Sequence, residues 1–544
     1  MTSSEAFDAV VIGAGHNGLV AASVLAKAGR KVVLVEAEAE PGGAARGETF
    51  AEGFRSPGLA HVLNRLHPEV IAALDLKSHG LAFGEPAPTA VLDRDNGPLI
   101  LHGGYGEEVE GLSAGEAAAW GELRARLFRQ AGVLKPFLVR NPPALGRLSH
   151  GDKAFLGSVL LSLRRLGREE MREFLRMVLM NVHDVAEEHL SDDRLKGLLA
   201  FDATLGVHLG PRSPTSLLGL YYRLAGEAAG APGGQVVPRG GMGAVIAALV
   251  RSAESAGVAL RTKAEVRRIL VGDGAASGVA LADGTELRTG LVLSAINPKT
   301  TFFELVGAPH LDIGFMRKVG NIRMNGAAAK LHLALDGIPA FAGLGEEHLR
   351  GRIVIAPSSD GVERAYNPSK YGDFSREPVV EVTLPGLADP ALAPQGGAVL
   401  SAVVQFVPYR LRGGWTEARK AELLEASLAL LERHAPGLRR LVRAAELLTP
   451  ADIERRYHMP GGHWHHGELQ ADAMLFSRPV AGSSGYGTPV EGLYLCGAGA
   501  HPGGGISGLP GLNAARAAIR DGESRKRTSF GFSILKRSLS EARP

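Results

Sequence analysis

Six residues near the start of the chain, Gly13-Ala14-Gly15-His16-Asn17-Gly18, set the strongest limit on its fold. Their G-x-G-x-x-G spacing follows a short apolar run, 7–12 (FDAVVI), and opens a run of small apolar residues at helical spacing, 18–28, that Gly29 ends. A second apolar run, 31–35, closes in Glu36. Strand, glycine turn, helix and strand within about 30 residues predict a β-α-β unit with a right-handed parallel crossover. Each glycine then answers a physical need. Gly13 allows a tight turn, Gly15 brings backbone close to a pyrophosphate, and Gly18 permits close helix–strand packing. The helix N-terminus offers unpaired N–H groups to phosphate. Glu36 stands where a carboxylate accepts from ribose hydroxyls and repels a 2′-phosphate, which favours FAD or NAD over NADP. A bare glycine turn in an α/β domain is the plain alternative, and the three-part context argues against it.

Two further glycine clusters separate FAD from NAD. Pro41-Gly42-Gly43-Ala44-Ala45-Arg46 follows Glu36 by a short loop. Its paired glycines allow backbone near a bulky cofactor, and Arg46 is placed to neutralise a diphosphate. Far along the chain, Gly497-Ala498-Gly499 follows the apolar run 492–496, and Pro502-Gly503-Gly504-Gly505-Ile506-Ser507-Gly508 leads into a final helix from about 509 to 520. A second glycine loop at a helix start suits a long cofactor held at both ends, as FAD is. Its N–H groups would stabilise the negative charge of reduced flavin.

The remaining pattern fills in the body. Helical spacing covers 115–135, 152–190, part of 215–228, 243–256 and 417–434, while 40–60 reads as loop. A strand at 258–261, a β-meander over 264–288 turning at Asp273-Gly274 and Asp283-Gly284, and a strand at 290–295 follow. Residues 325–340 and 378–407 alternate like a half-exposed antiparallel sheet. Lys and Arg number 60 against 57 Asp and Glu, so no nucleic-acid partner is indicated. The single cysteine, Cys496, excludes an internal disulfide or CxxC pair and reads as a small buried residue. No run of 18 apolar residues occurs, and the polar start resembles no signal peptide, so a cytoplasmic protein is expected. Two segments, 154–180 and the basic tail 523–544, have the make-up of lipid-surface helices; a core-facing helix and a mobile tail are the plainer readings.

The stretches VVIGAGHNGLVAA (10–22), VEAEAEPGGAAR (35–46), PRGGMGAVIAAL (238–249), GGHWHHGELQADAMLFSRP (461–479) and GLYLCGAGAHPGGGISGLPG (492–511) resemble the phytoene desaturase and carotenoid isomerase family of FAD-dependent oxidoreductases. The nearest branch is the one called pyridine nucleotide-disulfide oxidoreductase domain-containing. The resemblance implies an α/β fold: a Rossmann-like FAD-binding domain of amine oxidase or p-hydroxybenzoate hydroxylase type. It carries an inserted antiparallel-sheet substrate domain and a helical cap. The FAD domain would comprise 1–75, 235–300 and 450–522, and the substrate and cap domain 76–234 and 301–449. Val266 would meet the adenine through its backbone, and residues near Pro57 to His61 would approach the flavin. The branch name overstates the chemistry. One cysteine cannot form a redox pair, and neither Gly240-Gly241-Met242-Gly243 nor 272–278 has the spacing of a second dinucleotide loop.

The residues that would do chemistry are less legible. His463, His465 and His466 are too closely spaced for helical metal pairs, so no metal is expected. They stand either as packed histidines or with His466 facing the substrate and accepting a proton. His16 reads as a loop residue. Asp202, Arg212, Tyr221 and Tyr222 fall in the substrate lobe unranked. Three functions stay open: hydride transfer from an apolar, isoprenoid-like substrate with oxygen or a quinone as acceptor; oxidation of an amine or other polar molecule; and structural FAD in a protein acting through a partner.

Overall fold

The computed structural model describes residues 4–84, 86–143 and 148–524. The basic tail lies, from 525 on, outside the described residues. Five parallel strands form the central sheet: β1 (Ala9–Ile12), β2 (Val32–Val35), β3 (Ala259–Arg261), β4 (Val292–Ser294) and β5 (Leu493–Leu495), in the order β3-β2-β1-β4-β5. Every residue of β1 and β2 is buried, as an apolar strand between two helical layers requires. Register is set by Val10, opposite Val33 on one side and Val292 on the other. Strand order reverses at β1, so a crevice opens beyond its carboxyl end, where ligands bind in sheets of this kind.

The helix His16–Lys27 leaves that crevice and packs on Gly241–Ser255 and on the final helix, 509–524. Glycine makes the approach close enough. A Cβ on Gly18 would stand 1.9 Å from the Gly13 carbonyl oxygen, and one on Gly511 would stand 2.2 Å from that of Asn17. The meander is present as Val266–Gly272, Ala275–Leu281 and Glu286–Arg288, with Asp273 and Gly274 both at positive φ. Ser4–Ala6 adds a fourth, parallel strand.

A second body is built on an eight-stranded sheet. Its order is Val442–Leu448, Ala328–Leu335, Ala398–Gln405, Val380–Thr383, Arg352–Ile355, Thr89–Leu92, Leu99–His102, Glu108–Glu110. All pairs are antiparallel except Arg352–Ile355 with Thr89–Leu92. The half-exposed sheet expected from the alternation is not found: every residue of Ala328–Leu335 and Ala398–Gln405 is buried. Helix Glu417–His434 packs Leu423, Leu430 and Leu431 against the apolar face, which carries Leu331, Leu333 and Val382. The other face carries Lys330, His332, Arg352, Glu381, Ser401 and Gln405, all buried too. The alternation is therefore genuine, but its polar side faces the interior.

The helical segment expected at 152–190 is three helices, His150–Arg165, Arg168–Met177 and Val182–His189, broken at Gly167 with φ +91°. The 40–60 loop contains a small hairpin, Thr49–Ala51 with Phe54–Arg55. No described helix is long and apolar enough to cross a membrane.

Two glycines on these helices should behave oppositely. Gly18→Ala drives a methyl into backbone and is expected to cost about 1–3 kcal/mol. Gly243→Ala, whose Cβ meets nothing within 4 Å, should be neutral or stabilising by about 0.5–1 kcal/mol. Urea unfolding of the two variants checks the pair, and equal effects would refute the packing account.

Candidate functional site

The site grows from the turn after β1. The Gly13 N–H donates to the Val35 carbonyl at 2.8 Å, and its φ of +91° turns the chain across the sheet end. Gly15 caps the helix with no side chain closing the free N–H groups of the first turn. Gly42 bridges directly to Gly15, its N–H donating to the Ala14 carbonyl at 2.9 Å. A Cβ on Gly43 would stand 3.2 Å from the Gly15 Cα. The two glycine clusters are thus one structure, each leaving room for the other. The Glu36 carboxylate, at the end of β2, accepts from the Ala14 N–H at 2.7 Å and the Glu38 N–H at 3.0 Å. Two backbone donors hold it as a fixed acceptor at the crevice mouth.

These groups line one cavity of about 600 Å³, a volume in the range of ligand sites. Gly13, Gly15, His16, Asn17, Gly18, Glu36, Gly43, Ala44, Arg46 and Val266 border it, together with His466 and Ala498. Residues 295–297, just after β4, and Tyr457, Met459 and Trp464 complete the wall. Sequence spacing did not single these out, because bordering a cavity leaves no signature in an apolar or loop residue. Four polar atoms of lining residues are buried without a partner: His16 Nε2, Asn17 Oδ1, Tyr457 Oη and His466 Nδ1. A Cβ on Gly15 would meet nothing within 4 Å, so the glycine leaves open space toward the cavity. Uncapped amides, an oriented carboxylate, unsatisfied polar atoms and a continuous trough suit a dinucleotide laid along its length.

Comparison with known proteins decides which dinucleotide. Residues 18–519 match the model for flavin-containing amine oxidoreductases. The chain belongs to that family. It is 33% identical over 543 residues to the mouse pyridine nucleotide-disulfide oxidoreductase domain-containing protein 2, covering 95% of this chain and 94% of the relative. A limonene dehydrogenase subunit of Castellaniella defragrans and the neurosporene-forming phytoene desaturase of Cereibacter sphaeroides are each 26% identical, covering 96% of both chains. In fold, a putrescine oxidase structure matches with TM-score 0.58 at 16% identity, covering 95% of this chain and 99% of that one. The protein is an FAD-dependent oxidoreductase with an α/β FAD-binding fold, and FAD is its cofactor.

Of the residues that border the cavity, Glu36 could hold a ribose, the amides of 15–18 a diphosphate, and His16 and His466 polar atoms of the ligand. Several expected residues sit differently. Arg46 borders the cavity, but its guanidinium is paired with Glu48 at 2.7 Å and Glu38 at 3.3 Å, so it brings no free charge to a diphosphate. Gly42 backs the wall without bordering the cavity. Gly497 packs against β4, where a Cβ would lie 2.2 Å from the Ala295 carbonyl oxygen. Gly505 and Gly508, at φ +98° and +72°, pack on Arg65 and Val70, and Ile506 is buried beside them. Of the second glycine loop, Ala498 borders the cavity, while Gly497, Gly505 and Gly508 pack against other segments behind it.

The histidine run is held by a residue that spacing did not reveal. Arg478 is buried and donates to the carbonyls of His465 (2.5 Å), Glu468 (3.0 Å) and Ala498 (2.7 Å). It ties the 465–468 loop to the glycine loop after β5. His466 adopts φ +54°, a costly conformation for a non-glycine residue that aims its ring at the cavity. Burial, with the Arg478 charge, pushes its imidazole down to about 3, so it is neutral and a weak base. Burial likewise lowers His16 to about 4. His463 turns away to Glu468 at 3.5 Å.

The largest surprise lies on the polar face of the eight-stranded sheet. His61 Nε2 contacts Glu381 Oε1 at 2.8 Å, and His61 Nδ1 contacts Lys330 Nζ at 2.9 Å. Glu381 pairs with Arg352, which pairs with Asp202; Asp202 accepts from Tyr105 Oη at 2.9 Å and lies 3.5 Å from Arg223 Nε. All are buried. Two arginines balance two carboxylates, leaving Lys330 as the surplus. Burial pushes its ammonium down to about 7, with Glu381 opposing. Burial and the neighbouring Lys330 lower His61 to about 4. Asp202, unranked in the sequence, belongs here, whereas Arg212 is exposed against Asp360. The Leu59 N–H donates to the Ala44 carbonyl at 2.8 Å, so the strand of chain carrying His61 crosses directly behind the cavity wall.

The open glycine and the buried histidines can each be tested. Gly15→Ala should keep the apoprotein fold while lowering FAD affinity at least about tenfold, measured as bound flavin after dialysis. Acid should also loosen the fold. His16, His61 and His501 each bind a proton less well folded, at about 4, than unfolded, at about 6.5. As pH falls the unfolded chain takes up protons first, so stability is full above about 6.5 and declines toward about 4. A urea midpoint unchanged between pH 7.5 and 4.5 would contradict the buried, neutral assignment.

Proposed function

We propose that this flavoprotein takes hydride from an apolar, isoprenoid-like substrate, in a desaturation or in an isomerisation without net oxidation. The observation that carries the reading is one cavity of about 600 Å³ that Glu36 and the first glycine loop share with His466 and Ala498. The substrate class draws support from relatives that align over nearly the whole chain. Limonene and phytoene, in the names of two of them, are isoprenoid hydrocarbons. The amine-oxidising neighbours support the fold alone, at 16% identity for putrescine oxidase.

FAD, when bound, supplies a hydride acceptor. The chain's part is to bind, orient and manage the proton. Uncapped amides and Glu36 hold the nucleotide end, and Arg478 keeps the His466 loop against the glycine loop. A hydride leaving carbon leaves a proton to be lost from the neighbouring carbon. His466, at about 3, is a poor acceptor for it and serves as a neutral hydrogen-bonding group. Lys330, at about 7 and in contact with His61, can hold or release a proton at neutral pH. We assign proton storage to that pair. For a desaturation the electron pair would leave to oxygen or a quinone, whereas an isomerisation would return the hydride to the substrate and need no acceptor.

One observation favours a second reading. The match of residues 18–519 to the model for flavin-containing amine oxidoreductases suits oxidation of an amine.

Anaerobic titration of the holoprotein separates these. Bleaching of the flavin band by a solubilised isoprenoid, and not by amines, is the expected result. Bleaching by amines alone would transfer the case to the second reading, and no bleaching by either would favour structural FAD. Lys330→Met should retain FAD, reduce the bleaching rate at least about 100-fold and remove a rate step near pH 7. A variant with an unchanged pH profile would remove Lys330 from the proton path.

A further inference from the structure

Among the described residues most large apolar side chains are buried, and half of the strongly exposed ones fall on or just after two successive helices. Leu160 and Leu161, on His150–Arg165, are 65% and 48% exposed; Leu175 and Leu179, on and just after Arg168–Met177, are 55% and 68% exposed. The first helix buries only Phe155. Arg168, Arg172 and Leu175 share one face of the second helix at spacings of four and three, and Lys153, Leu160 and Arg164 share one face of the first at seven and four.

The unpaired charges of these two helices are one-sided. Lys153, Arg164, Arg165, Arg168 and Arg172 are exposed and, among the described residues, form no ion pair. The carboxylates of the two helices are largely spent: Asp152 caps its helix and faces Arg140, Glu170 faces Arg126 and Arg129, and Glu173 holds Arg176, leaving Glu169. Five free cations thus stand against one free anion. Four strongly exposed leucines on two successive helices call for a cover. A second copy of the chain would bring like charge to like, whereas apolar side chains ringed by arginine and lysine match the acyl and phosphate layers of an anionic bilayer.

We infer that helices His150–Arg165 and Arg168–Met177 form a docking face for an anionic lipid surface, with the four leucines inserted and the five free cations on the headgroups. The face is joined to the candidate site. Phe155 packs edge-on against Phe137 with ring centres 4.9 Å apart. The Phe137 carbonyl accepts from His501 Nε2 at 2.8 Å, and that of Leu138 accepts from Asn513 Nδ2 at 3.1 Å. The helices therefore stand on the segment that touches the glycine loop after β5, whose Ala498 borders the cavity. The inference rests on surface composition and holds whichever substrate the enzyme takes.

Co-sedimentation of the FAD-loaded protein with vesicles tests it. Vesicles of phosphatidylcholine with about a quarter phosphatidylglycerol should pellet the protein at low salt, and pure phosphatidylcholine should pellet at least about tenfold less. Leu160→Asp with Leu161→Asp, and separately Leu175→Asp with Leu179→Asp, should each weaken binding about tenfold or more with FAD content unchanged. Replacing Arg164, Arg165, Arg168 and Arg172 by Gln should weaken it about 100-fold or more and abolish the salt dependence. Failure of the wild-type holoprotein to bind anionic vesicles would overturn the inference. So would binding that all three variants retain. A wild-type dimer that the Leu→Asp variants dissolve, with no vesicle binding, would make the face a self-association interface instead.

Discussion

Backbone lying directly on backbone at the carboxyl end of the parallel sheet is the contact on which the remaining architecture rests. Gly18 lies on the Gly13 carbonyl, Gly511 on that of Asn17, and Gly497 on that of Ala295, each at a distance no side chain would permit. These contacts draw segments from both ends of the chain into one layer around the first glycine turn. The crevice left beyond β1 is where the helix amides stay free and Glu36 is held by two N–H groups. A nucleotide site of this form comes from missing side chains more than from added ones. That is why it tolerates a surrounding wall of ordinary residues such as Ile296, Met459 and Trp464.

The second organising feature is electrostatic. A chain of buried charges, from Tyr105 and Asp202 through Arg352 and Glu381 to His61 and Lys330, lies across the inner face of the eight-stranded sheet. Burying so many ions is costly unless each is paired. Pairing is complete here once Lys330 is neutral. Glu381 stays ionised although burial opposes it, because Arg352 and His61 surround it. The sheet and the Leu59–His61 segment are thereby locked in one relative position behind the cavity wall. A proton-bearing group near neutrality is the by-product of this arrangement, and it is the feature that distinguishes the interior chemically.

The nucleotide end was largely legible because the physics there is local. Glycine spacing, a buried strand, a helix start and an acid at a strand end fall within 40 residues, and all of them face one cavity. Arg46 was not legible in role, since its partners Glu38 and Glu48 were as near in sequence as any phosphate would be in space. The second glycine loop was visible as a motif but not as a support, because packing on Arg65 and Val70 is a long-range fact. The alternation in 325–340 and 378–407 was real, yet alternation cannot tell water from a buried ion network as the neighbour of a polar face.

By itself the sequence determined the α/β unit, the dinucleotide loop, the absence of any internal cysteine pair and the resemblance that led to FAD. Each of these depends on residues close together or on residue types alone. The tertiary structure decided which face of the large sheet is interior, which histidine enters the cavity and which lysine is left without a counter-charge. It also left four leucines exposed and five cations unpaired on two successive helices. Those outcomes depend on which distant side chains come to lie within a few ångströms, where burial and Coulomb forces act and where spacing along the chain carries no information.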